Sequence, residues 1–181
     1  DGFNSVIADT GPGAIITYSS DFIIQQNGSN ERMADFAQNG AARLYYDGVV
    51  KLSTASSGVD VTGEFIADSY NETYLNITSS SGTANFDCES GNTFSITLSE
   101  NVTTTNFQNP PASGIGYTMT IELIQDVSAS GYAMAWPTSV DWPSATAPTP
   151  TPDASGKDVF VFTTRDGGTT WYGFTAGQAL A

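Results

Sequence analysis

Apolar and polar residues alternate along this chain in short runs, and no run holds the 3.6-residue period of a helix for long. The clearest run lies in Lys157 to Thr175, where Val159 and Val161 point to one face and Phe160 and Phe162 to the other. A turn of Asp166, Gly167 and Gly168 follows, and then a return strand with Trp171, Tyr172 and Phe174. Two β-rich runs joined through Asp-Gly predict a hairpin. Apolar side chains on both faces predict that its first strand is an inner one, covered on both sides.

Upstream, Asp1 to Gly13 has no sustained period and reads as a connector. From there glycine recurs at regular intervals, in Asn27-Gly28, Asn39-Gly40, Asp47-Gly48, Ser57-Gly58 and Thr62-Gly63. Between these turns lie four strand-like runs: Phe22 to Gln26, Ala41 to Tyr46, Val49 to Thr54 and Val59 to Thr62. In the third, Val50 and Leu52 share one face while Lys51 and Ser53 share the other. Beyond Tyr70 the alternation continues through Leu75 and Ile77; Ala84, Phe86 and Cys88; Phe94, Ile96 and Leu98; Tyr117 to Leu123; and Tyr132, Met134 and Trp136. With the hairpin this makes about seven strands, the pattern of a β-sandwich or jelly roll. The expected fold is therefore all-β, with an N-terminal module over 1–69 and a C-terminal, jelly-roll-like sandwich over 70–181. Residues 1–69 hold few large apolar side chains, and a domain of that size buries too little surface alone. Packing equivalent apolar faces about an axis would solve this, so the segment is expected to be an oligomeric shaft element, the alternative being a small β-domain that leans on its C-terminal neighbour.

Composition narrows the function. Charged residues make up 13% of the 181 positions, well below the ~25% of ordinary soluble domains. The formal net charge is -14, with Arg32, Arg43, Lys51, Lys157 and Arg165 the only cations, so neither nucleic acid nor an anionic membrane is expected as a partner. No apolar segment approaches the ~20 residues of a membrane span, and no membrane insertion is expected. The sequence contains no histidine, which removes Ser-His-Asp and Cys-His catalysis and histidine-ligated metals. Cys88, the single cysteine, sits in an alternating run and is expected to be a buried core thiol. No cofactor is expected.

Two stretches resemble a known family. The run from Met33 to Asp68, with its F-x-x-NGA opening, LYYDG hairpin, K-L-x-T strand and closing GVDVTG (Gly58 to Gly63), is similar to a module of tail-fibre and appendage proteins of tailed bacteriophages, marine and cyanobacterial ones in particular. GNTFSITLSENVT (Gly91 to Thr103), NPPASG (Asn109 to Gly114), YTMTIELIQD (Tyr117 to Asp126), the stretch from Trp136 to Pro143, and DGGTTWYGF (Asp166 to Phe174) also resemble a phage fibre domain. The resemblance implies a non-enzymatic structural protein of the virion, extracellular and particle-borne, assembled as a homotrimer and joined to other virion proteins. Its head would touch a host-surface glycan, or would serve as a capsid-surface or filament appendage without a ligand.

Several residues carry candidate chemistry. The loops Asn109 to Gly116 and Pro143 to Pro152 are proline-rich and expected to be rigid, the second extended and exposed. Trp136, Asp141 and Trp142 flank the second loop, and aromatic faces beside a carboxylate suit stacking on a sugar and hydrogen bonding to it. The other reading of either Trp is structural, packing under the loop; if Trp142 is instead an exposed stacking residue, it would be removable with its stability nearly unchanged. Thr164, Asp166, Gly168, Thr170 and Trp171 match the S/T-x-D-x-G-x-T-W pattern of the Asp-box, a hairpin that recurs in sialidases and other propeller proteins. One copy without an arginine cluster reads as a structural turn. A glycan-cleaving site needs two carboxylates ~5 to 10 Å apart. Asp87 and Glu89 fall two apart on one predicted strand face, while Glu64, Glu72, Glu100 and Glu122 are scattered singly. Asn85 to Asn92 offers oxygen atoms for calcium but no spaced ligand loop, and no metal site is expected.

Overall fold

A computed structural model describes residues 11, 16, 19–26 and 28–180. The chain divides into two compact units, Asp1–Ser69 and Tyr70–Ala181. Apart from Gly11, the predicted connector over Asp1 to Gly13 lies outside the described residues. The described residues are nearly all β, with 48% of them in strands or bridges, and the only helical turn among them is the 3-10 turn Pro143–Ala145.

The first unit is an antiparallel meander of five strands in chain order: β1 (Asp21–Gln25), β2 (Arg32–Ala37), β3 (Ala42–Tyr46), β4 (Val49–Ala55) and β5 (Gly58–Val61). Four coincide with the alternating runs. β2 does not, because RMADFA offers two alanines and an aspartate, all poor strand formers. Its support comes from its neighbours: Ala34 pairs with Leu44 and Phe36 with Ala42. Between β3 and β4, Asp47 and Gly48 take φ of 50° and 70°, as a two-residue type I′ hairpin requires.

Register gives this sheet two unlike faces. Ile24, Ala34, Leu44, Leu52 and Val61 align into one apolar row that crosses all five strands. Ser53, opposite Arg43, lies on the other face as the alternation predicts, but a bulge between Leu44 and Tyr45 leaves Lys51 without a partner on β3 and sets Val50 against Tyr45, so Val50 does not share the row of Leu52 as expected. Among the described residues of this unit, Ala34 is the only apolar side chain that is buried. Phe22, Ile24, Phe36, Leu44 and Val61 stay 41 to 48% exposed.

The second unit holds β6 (Tyr74–Ile77), β7 (Thr83–Asp87), β8 (Thr93–Leu98), β9 (Thr104–Gln108), β10 (Tyr117–Gln125), β11 (Val140–Asp141), β12 (Lys157–Thr164) and β13 (Trp171–Leu180). They form a six-stranded sheet, β11-β13-β12-β10-β8-β6, and a two-stranded one, β7-β9. The pairs β6/β8, β8/β10 and β7/β9 are all parallel, so the chain from β6 to β10 winds back and forth between the two sheets. This winding differs from the antiparallel order of a jelly roll; alternation of side chains is the same in either kind of strand and does not distinguish them. Successive windings stack like on like: Asn106 Nδ2 donates to Asn85 Oδ1 at 2.9 Å, and the Phe86 and Phe107 rings lie 6.0 Å apart.

The core fills the space between the two sheets. Phe94, Ile96 and Leu98 of β8, Met119, Ile121 and Leu123 of β10, and Phe160 and Phe162 of β12 all face inward and are buried. Phe86 closes edge-on against Phe94 at 5.5 Å, and Phe107 against Phe162 and Trp171 at 5.0 Å each. The strand β12 is an inner one, between β10 and β13. It is not covered equally on both faces, however. The β7–β9 layer packs on the side of Phe160 and Phe162, which leaves Val159 and Val161 half-buried. The predicted strand over Tyr132 to Trp136 reduces to a single bridge between Met134 and Val102, since Gly131 and Pro137 interrupt it at either end.

Candidate functional site

The sequence groups Trp136, Asp141 and Trp142 as one ligand-binding cluster, and the fold separates them. Two residues, Val140 and Asp141, pair in parallel with Trp171 and Tyr172 and so fix the strand edge. Alternation then sends neighbours to opposite faces. Trp142 turns inward and is only 7% exposed, with its ring centroid 5.6 Å from Trp136, 5.5 Å from Phe162 and 6.1 Å from Phe160. Trp136 is half-buried, 5.0 Å from both Phe160 and Phe162. Both indoles are therefore part of the core, which corrects the picture of Trp142 as an exposed stacking residue. Asp141 alone of the three is exposed.

A different pair of aromatics stands beside Asp141. Along β13, Trp171 and Gly173 point inward and Tyr172 and Phe174 outward. Gly173 is required at its position, since a Cβ there would lie 2.8 Å from Val140 and 2.9 Å from the Trp142 ring. Together Asp141, Trp142, Pro143, Tyr172, Gly173 and Phe174 line an open cavity of about 220 Å³. The Arg165 guanidinium sits over the Tyr172 ring, 5.9 Å from its centroid. The alternation places Tyr172 and Phe174 on the return strand of the hairpin and does not mark them as site residues. The signal was present: three aromatics within four residues of an alternating strand cannot all face one core.

The Asp-box-like residues do come together. Asp166 Oδ1 accepts from the Thr164 hydroxyl at 3.0 Å and the Thr170 amide at 2.9 Å, while Thr164 Oγ1 accepts from the Gly168 amide at 3.2 Å. These donors, the Thr170 amide foremost, hold the Asp166 carboxyl below its ordinary value. Trp171 lies beneath the turn, 1% exposed, between Phe107 at 5.0 Å and Tyr117 at 6.0 Å. The first proline loop closes onto the same turn, with the Gly114 amide donating to the Arg165 carbonyl. The second loop is exposed as far as Ala147 and then fastened to β13, where Gln178 Nε2 donates to the Thr149 carbonyl at 2.8 Å.

The remaining carboxylates are scattered or already engaged. Asp87 ends β7 and Glu89 falls in the turn after it, so the two do not share a strand face as predicted. Asp87 accepts from Asn109 Nδ2, the Glu89 amide and the Ser90 hydroxyl, which lowers its pKa, Asn109 contributing most. Among the described residues no three His, Cys, Asp or Glu side chains gather as a metal site would require. A second cavity, of about 380 Å³, is lined by Thr151, Asp153, Ser155 and Leu180 among others. Beside it the buried Asp158 accepts from the Thr151 amide and hydroxyl and the Ala179 amide, tying the loop to β13. Asp35 in the first unit is enclosed by Arg32 at 2.7 Å, Arg43 at 2.8 Å and the Tyr45 hydroxyl at 2.6 Å. The Tyr45 and Arg43 donors pull its pKa down to about 2. Burial pushes the Cys88 thiol up to about 11.

No family model matches this chain, and no curated protein or solved structure is significantly similar to it.

Proposed function

We propose that this chain is a structural protein of a phage virion: a trimeric tail-fibre segment with a β head that attaches to a host-surface glycan. The sequence resemblance supplies the family and the threefold symmetry. The observation that carries self-assembly is the meander of the first unit, a sheet whose apolar row from Ile24 to Val61 crosses five strands while only Ala34 is buried. Ordering the backbone costs about 1 to 2 kcal/mol per residue, and half-exposed apolar side chains offset little of it. Three copies that turn this face toward a common axis remove the deficit and cover the strand edges as well. Within the head, the likeness to a jelly roll extends to two facing β layers around one core. The half-buried row of Val159 and Val161 is a second surface that copies would cover.

Sedimentation tests the assembly. Leu52 lies in the apolar row and Lys51 is an exposed residue at the bulge beside it, so Leu52→Asp prevents trimer formation and Lys51→Asp leaves the parent mass. If the parent and both variants sediment as compact monomers, the fibre reading fails. A purely structural appendage on the capsid or within a filament is the alternative. Labelled antibody on intact virions separates the two: label at a free fibre tip supports attachment, and label buried among other subunits supports the appendage.

A further inference from the structure

We propose that the cavity beside β13 binds one ring of a neutral saccharide, with Tyr172 and Phe174 as the stacking surface and Asp141 as the hydroxyl acceptor. This rests on the attachment reading and names its site and ligand class. Asp87, Asp126, Asp158 and Asp166 all have carboxylates engaged by amides or hydroxyls. Asp141 is exposed, and its carboxylate takes no hydrogen bond from the described residues. An ionised carboxylate only accepts, so its ligand must bring donors. Around it the walls are apolar, made of the exposed Phe174 ring, Tyr172, Pro143 and the edge of Trp142. A ligand that fits both must carry hydroxyls on its rim and C–H groups on its face, which describes a pyranose.

Size and charge point the same way. At about 220 Å³ the cavity is smaller than the ~300 Å³ at which drug-sized ligands begin, and it holds a single ring of a longer chain that runs out over the surface. The protein carries a net charge of -14 and puts a carboxylate at the rim, which disfavours anions. An organic cation is disfavoured by the Arg165 guanidinium, which stands over one face of the Tyr172 ring, 5.9 Å from its centroid, and puts a positive charge beside the cavity. Strand pairing leaves room too: β11 meets β13 only at Trp171 and Tyr172, so the main chain past Gly173 has no strand on that side to compete with a ligand. The same arrangement accounts for the inward-facing tryptophans. Trp142 packs beneath Gly173 with Trp136 behind it, and neither offers its ring face to the ligand.

Saturation-transfer NMR on the assembled full chain tests this, with methyl glycosides of glucose, galactose and mannose, N-acetylglucosamine, and choline as probes. At least one sugar should receive saturation. Asp141→Asn and Phe174→Ala, both at exposed positions, should each weaken its binding tenfold or more and keep the parent's sedimentation and melting. If a sugar binds and neither variant changes it, the site is elsewhere and the attachment reading survives. If no sugar binds the parent, the saccharide site fails, and the position of the antibody label on intact virions decides the attachment reading separately. Binding of choline alone, or loss of the oligomer in Phe174→Ala, overturns the saccharide assignment.

Discussion

Trp142 gives the most direct test of how the second unit is built. Replacing it with alanine removes an indole that is 7% exposed and within 5.5 to 6.1 Å, centroid to centroid, of Trp136, Phe160 and Phe162. Each such aromatic contact is worth about 0.5 to 1.5 kcal/mol beyond the area it buries. Truncation of a buried Trp costs about 3 to 5 kcal/mol, cavity included. The upper part of that range is expected here, because Gly173 sits against the ring and has no side chain with which to fill the space. For a unit of this size that is a fall in melting temperature of about 16 to 20 °C. Thermal unfolding followed by near-ultraviolet circular dichroism measures it, with Phe174→Ala as the comparison. Phe174 is 48% exposed, and its loss should change stability by no more than about 0.5 kcal/mol. Equal shifts for the two variants would refute the placement of Trp142 inside the core and Phe174 on the outer face. A Trp142→Ala protein that melts within about 3 °C of the parent would return that residue to the surface.

Three further outcomes follow from the first unit, the buried thiol and the turn. The folded pKa of Asp35 lies below its ordinary value of 3.8, at about 2, so its contribution to stability is complete above that ordinary value and is lost as pH falls toward 2. Unfolding of the first unit measured from pH 5 to 2 should show this loss, and Asp35→Asn should lower stability at pH 7 and flatten the acid limb. Cys88, with its pKa raised to about 11 by burial, should react with a maleimide at pH 7.5 only in denaturant; stoichiometric labelling of the native protein would contradict the packing around it. Gly168 has φ of 76°, and a Cβ there would lie 2.7 Å from the Pro110 ring. Gly168→Ala should therefore destabilise by more than about 1 kcal/mol in denaturant titration, whereas Thr169→Ala beside it loses one exposed hydroxyl contact and should be near neutral.

Much of this architecture follows from local rules. Gly-containing turns, a chain low in charge and period-two alternation led to strands and excluded helices of any length, because each of these acts over a few residues. The Asp166 turn was legible for the same reason: Thr164, Asp166, Gly168 and Thr170 bond one another within seven residues. Leu52 falls in the apolar row as its order requires, but the bulge that leaves Lys51 without a partner on β3 and sets Val50 against Tyr45 has no local signal. What depended on distant partners was not legible. β2 exists because Asp35 meets Arg43 and Tyr45 across the sheet, and neither its alanines nor its aspartate announces a strand. The parallel winding from β6 to β10 leaves no mark on alternation. Above all, the sequence placed Trp136, Asp141 and Trp142 together, since nearness along the chain was all it could weigh. The fold decided that the two indoles close the core while Asp141 faces out beside Tyr172, a residue 31 positions away. Pairing of β11 with β13 set that division, and only the assembled sheet contains it.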